Sequence, residues 1–170
     1  MIESLQGLAR GLMAGRLGFR MDEVMSGTHE FEPGFGPAGP LPMSFTVTWG
    51  PDDIRTWINP GSGEFLTQPL EGTVTVGGLC KDAPCKGRLE LRYFDEHALR
   101  YTFEFLGCGV RYEFVGEKVN IRPWNLPVSH TTCYGKLTEA DTGRLVSRSV
   151  THFRLHTAPA FFASFRFSAA

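Results

Sequence analysis

Four cysteines and five histidines are the side chains of this 170-residue chain best suited to nucleophilic or metal chemistry, and their spacing limits what they can do. Cys80 and Cys85 are close enough to form half of a zinc site. A structural zinc needs four ligands, and Cys108, Cys133, His97 and His130 lack the paired spacing that supplies the second half. The pair therefore reads as two thiols in a hairpin loop, to be joined as a disulfide only in an oxidising compartment. His152 and His156 would share one face of a helix, but Leu145–Leu155 is rich in β-branched and hydroxyl residues and reads as extended. On a strand they stand about 13 Å apart, too far for a shared metal. Cys133 and His130, three apart on a strand, point to opposite faces, which excludes a direct thiol–imidazole pair.

Two further patterns lose their chemistry in context. Gly34-Phe35-Gly36-Pro37-Ala38-Gly39 spells a dinucleotide fingerprint, yet Pro37, Pro40 and Pro42 forbid the helix whose N-terminus would face a pyrophosphate. Glu90, Glu104 and Glu113 occupy the polar parity of an alternating segment and read as its water-facing side. No catalytic set, metal or cofactor is predicted.

The elements that hold these residues are strands. Leu89–Tyr93, Leu99–Phe105 and Val110–Phe114 place a large hydrophobe at every second position, the period of a half-buried strand. Turns are expected at Phe94–His97, Gly107–Gly109 and Gly116-Glu117, with a loop over Gly77–Pro84 and a short strand over Val119–Ile121. Further strands follow from Met21–Phe31, Met43–Trp49 and Leu70–Val76. A hairpin spans Ser129–Thr138 and Arg144–Leu155 around Glu139–Gly143. Asp52 or Asp53 caps one helical turn over Ile54, Trp57 and Ile58, and Pro159 opens a short helix over Phe161, Phe162 and Phe165. Leu5, Leu8, Leu12 and Met13 have helical spacing, weakened by Gly7, Gly11 and Gly15, so residues 1–19 read as a helix or arm ahead of one domain over 20–170. Eight or nine strands without a βαβ unit predict an all-β, antiparallel up-and-down barrel, lipocalin-like, in which closure removes the exposed edges.

Seventeen basic and eighteen acidic residues leave the chain near neutrality, with no cluster to meet a row of phosphates, so nucleic acid is not an expected partner. No run approaches the roughly 18 apolar residues of a membrane helix, and no signal peptide or glycosylation acceptor is seen. A reduced, cytoplasmic protein is the expectation.

The hairpin is the least regular part of the pattern, because His, Arg, Tyr and hydroxyls fall on both parities. With the first strand it supplies the candidate ligand-binding set Ser26, Thr28, His130, Thr132, Tyr134, Arg148 and His152, assigned to the inner face as polar groups orienting a guest in a Phe-rich cavity. The expected function is non-enzymatic binding of a small apolar, lipid- or sterol-like ligand. One alternative is an isomerase or cyclase in which Tyr134, His130 or Arg148 polarises a carbonyl. The other is an interaction module docking through the Leu5–Met13 arm and the Pro-rich loop.

Met25-Ser26-Gly27, Pro42-Met43-Ser44-Phe45, Trp124 with Thr131-Thr132, and Phe161–Phe165 carry a resemblance over about residues 20–166. The chain resembles the β-barrel accessory domain attached to bacterial glucose–methanol–choline flavoenzymes, the cholesterol-oxidase-like proteins, and to some α/β-hydrolases. The resemblance implies a barrel with no chemistry of its own, and either a flavoenzyme partner in trans or an independent ligand-binding role. It carries over no catalytic residue.

Overall fold

In the computed structural model, which describes residues 17–119, 121, 131–153 and 158–168, eight consecutive strands close into an antiparallel barrel. They are β1 (Gly18–Phe31), β2 (Leu41–Trp49), β3 (Thr67–Val76), β4 (Cys80–Arg92), β5 (Ala98–Gly107), β6 (Val110–Lys118), β7 (Thr132–Glu139) and β8 (Leu145–Phe153). Each pairs with the next in sequence, and β8 returns to β1 with Met25 opposite Phe153 and Phe31 opposite Ser147. A ninth strand, β9 (Arg166–Ser168), pairs only with Gly18–Arg20. Two short helices sit between strands, α1 (Ile54–Trp57) and α2 (Ala158–Ala163). Asp53 caps α1, its carboxylate accepting from the Arg55 amide at 2.9 Å.

The expected barrel is therefore present, with local corrections. Cys80–Pro84 belongs to β4 and not to a loop, because the chain turns within Gly77–Leu79, where Gly78 takes a φ of 81°. Gly116 and Glu117 are not a turn. Both lie in β6, Gly116 between Tyr101 and Gly135, and the following Val119 and Ile121 form no strand. The first strand starts at Gly18, inside the expected arm, whose Leu5–Met13 pattern lies outside the described residues, as do His130 and Trp124.

Size decides what faces the interior. Phe45, Phe103 and Phe114 meet in the middle of the barrel, with centroids 5.4, 5.7 and 4.7 Å apart for the three pairs. Such tilted ring contacts add to the area they bury. The wall they lean on is built of small residues: Gly27 of β1, Gly116 of β6, Gly135 of β7, and Ser149 and Thr151 of β8. A Cβ added at Gly135 would stand 2.3 Å from both the Phe114 ring and Ser149 Oγ, so glycine there is required by the ring and not by the backbone. Gly87 answers a different need, since a Cβ would meet the Thr102 carbonyl oxygen at 1.9 Å, the close strand approach of a tightly coiled barrel. The middle of the barrel is thus a packed core and not a continuous cavity.

The two barrel ends differ. One carries short turns and the Pro-rich loop 32–40, with His29 buried there and its Nε2 hydrogen-bonded to Gly77 O at 2.9 Å. The other carries α1, the Phe94 turn and α2. There Phe161 packs on Trp49 and Phe153, and Phe165 stacks on Phe19.

Candidate functional site

The described members of the predicted ligand-binding set come together, but outside the barrel. The parity of β1 is set by Met25 at 0% and His29 at 1% exposure, so Ser26 and Thr28 face out. Buried Cys133 and Leu137 likewise turn Thr132 and Tyr134 outward, and buried Ser149 and Thr151 do the same for Arg148 and His152. The inward assignment is corrected for all six. Bulk explains this for Tyr134, Arg148 and His152, since the interior wall opposite the phenylalanine cluster admits glycine and small hydroxyl residues but not large side chains; Ser26, Thr28 and Thr132 are turned outward by the strand parity that buries Met25, His29 and Cys133.

Cross-strand register orders these side chains into rows. Ser26, His152 and Thr132 are opposite one another, with Thr132 Oγ1 3.2 Å from His152 Nδ1. The next row is Thr28, Val150, Tyr134 and Glu117, and the next is Glu30, Arg148 and Lys136. Thr28, Tyr134 and Arg148 border an open groove of about 710 Å³ together with Lys136, Val119 and Val150. Arg148 Nε donates to Glu32 at 2.8 Å, and Glu117 accepts from Arg100 Nε at 2.6 Å. Lys136 has no ion-pair partner among the described residues, and the Tyr134 ring is exposed. The groove therefore offers an aromatic and aliphatic floor bordered by Lys136 and Glu30, neither of which has an ion-pair partner among the described residues.

A second constellation escaped the sequence reading. Glu23 of β1 and Lys118 of β6 face the interior and pair at 2.7 Å, with side-chain exposures of 5% and 4%. Tyr101 donates its hydroxyl to Glu23, 2.9 Å from Oε2 and 3.1 Å from Oε1, and Trp49 Nε1 donates to Oε2 at 3.1 Å. Burial, followed by the Glu23 charge, pushes the Tyr101 phenol well above its usual range, so it remains a donor. The signal was in the parity: Glu23 alternates with Met25, and Lys118 with Tyr112, Phe114 and Gly116, so both charges stand in register with core residues.

The four thiols are unpaired. Burial pushes Cys85 up to about 11 and Cys133 up to about 12, so neither is a nucleophile near neutrality. In the native protein at pH 8 a disulfide-exchange reagent is expected to titrate exposed Cys108 rapidly, while Cys85 and Cys133 react only after denaturation. Fast reaction of all four would contradict this packing. The same thiols set an alkaline limit. Unfolded, each loses its proton near 9; folded, each keeps it until about 11 or 12. Over that window the unfolded chain holds fewer protons, so stability falls as pH rises above about 9, as an alkaline unfolding titration will register.

Among the described residues no group of three or more His, Cys, Asp or Glu is placed to hold a metal ion. Fold and site together define a closed eight-stranded antiparallel barrel with a packed aromatic middle, a buried ion pair at one end and an open groove on its outer wall. No family model, curated protein or solved structure gives a significant match to the chain. No helix among the described residues is long and apolar enough to cross a membrane.

Proposed function

We propose that this barrel is a non-catalytic binder of a small, largely apolar, lipid- or sterol-like ligand, and that the ligand lies in the outer groove. The observation that carries this reading is the groove itself. Its volume falls within the roughly 300–1,000 Å³ of small-molecule sites, and it sets the exposed Tyr134 ring beside Val119, Val150 and Lys136, with Glu30 at its edge. An apolar body with an acidic group placed against Lys136, on the side away from Glu30, matches that surface. A reducing, cytoplasmic setting belongs to the same reading and agrees with four unpaired thiols.

The test uses anilinonaphthalene sulfonate, an apolar anion that becomes fluorescent when bound. Wild-type protein is expected to bind it saturably, and Tyr134→Ala and Lys136→Glu each to weaken binding about fivefold or more, the scale of about 1 kcal/mol. Unchanged binding in both variants overturns the groove assignment.

A second reading, an interaction module serving a flavoenzyme, is favoured by the apolar crown at the end that carries the helices. Phe94 is 79% and Phe162 70% exposed there, with Ile58 and Phe165 also uncovered. Exposed aromatics gathered at one end are the usual composition of a docking patch. Phe94→Ser with Phe162→Ser abolishes co-purification with a flavoenzyme if this reading holds and leaves it intact if it does not.

A further inference from the structure

The turn between β5 and β6 carries a thiol where the backbone does not favour one. Gly107 pairs with Val110, so Cys108 and Gly109 alone make the turn, with φ angles of 50° and 77°. Both are left-handed, the geometry that Asn-Gly or Gly-Gly adopts with least strain. Cysteine gains little there as a structural residue, since a thiol is a weak donor. Cys108 is exposed, and its Sγ donates to Leu79 O at 3.2 Å.

That contact sets two turns against each other. Leu79 ends the turn between β3 and β4, and a Cβ added at Gly107 would also stand 3.2 Å from Leu79 O. The next residue is Cys80, half-buried, so one peptide group separates the carbonyl that Cys108 touches from a second thiol. Burial pushes the Cys80 thiol up, and the nearby Cys108 and Asp82 add to that rise. Cys85 is no alternative partner. Cys80 and Cys85 stand opposite Val76 and Gly72, a span of roughly 13 Å along β3, whereas the Cα atoms of a disulfide lie within about 7 Å. Cys133 is buried in β7.

We propose that Cys108 and Cys80 form a thiol–disulfide couple, a redox site that takes a small organic disulfide such as oxidised glutathione and answers by tying the β3–β4 turn to the β5–β6 turn. The Cys108 thiolate attacks one sulfur of the small disulfide, forming a mixed disulfide and releasing the first small thiolate. The Cys80 thiolate then attacks the Cys108 sulfur and displaces the second. Two protein thiols give up two electrons and two protons, and the reagent takes both electrons and leaves as two thiols. Exposure makes Cys108 the sulfur that reacts first, and burial makes Cys80 the slower, resolving one.

Dithiobis(nitrobenzoate), a small aromatic disulfide, tests the couple on the native, fully reduced chain. The wild type is expected to release two thionitrobenzoate anions, the first rapidly and the second more slowly, and to end two hydrogens lighter by mass spectrometry with no reagent attached. Cys80→Ser releases one anion and keeps a reagent group on Cys108. Cys108→Ser loses the rapid phase, and Cys85→Ala behaves as the wild type. Oxidised glutathione produces the same bridge, which peptide mapping places between Cys80 and Cys108 and dithiothreitol reverses. The oxidised chain melts at a higher temperature than the reduced one, because the bridge removes freedom from the unfolded chain. The proposal is overturned if the native wild type retains reagent on Cys108, if Cys80 and Cys108 each end with a reagent group of their own, or if mapping joins a different pair.

Discussion

Lys118→Met is expected to destabilise the barrel by about 3–5 kcal/mol, whereas the same substitution made together with Glu23→Gln costs far less. The single change leaves the Glu23 carboxylate 5% exposed with its cation gone. Tyr101 and Trp49 still donate to it, but two neutral donors do not replace a charge in a dehydrated site. The double change removes both charges and their desolvation cost, and Gln can still accept from Trp49 and Tyr101. In urea titrations the two variants should therefore separate widely, with the coupling energy between the positions above about 2 kcal/mol. For a chain of this size the single variant corresponds to a fall in Tm of roughly 6–20 °C. Equal stability of the single and double variants would show that the pair is hydrated and contributes little.

The second large effect tests the rule that size, not polarity, sorts the inner wall. Gly135→Val is expected to cost about 3 kcal/mol or more, because its Cβ would stand 2.3 Å from the Phe114 ring and from Ser149 Oγ. Adding Phe114→Leu to Gly135→Val should recover part of that loss, although Phe114→Leu alone is destabilising through the space it empties. Gly87→Ala supplies the contrast. Its Cβ would strike a backbone oxygen, which no side-chain trimming moves, so no second substitution at Phe103 or Phe114 should rescue it. Rescue at Gly87, or none at Gly135, would refute the distinction. Thermal melts of these variants decide it.

These effects also mark where sequence reasoning succeeds and stops. In β4 to β6 the alternation is unambiguous, since Tyr101, Phe103 and Phe105 cannot share a face with Arg100, Thr102 and Glu104 in any other way. In β7 and β8 the rule runs out. Ser147, Ser149 and Thr151 compete for the interior with Val146, Arg148, Val150 and His152, and hydropathy does not separate them. What settles the choice is the Phe114 ring of β6, which lies over Gly135 of β7 on the side of Ser149 of β8, an arrangement across three strands that a single strand's pattern does not contain. Glu23 and Lys118 are a different case. Their parity was readable, but assigning them inward requires pairing two charges from strands far apart in the chain, β1 with β6.

The closure of β1 on both β2 and β8 has a consequence in time. On emerging from the ribosome β1 finds β2 almost at once, with Met25 opposite Phe45, but its other edge must wait for the distant strand that brings Phe153 to the same residue. Until then a row of backbone donors and acceptors stands open on β1, and later another stands open on the far side of the growing sheet. Such non-local closure is slow, and two incomplete chains can satisfy each other's edges before either satisfies its own. The β1–β8 seam is thus the place where strand exchange between copies, and the aggregates that follow from it, would begin.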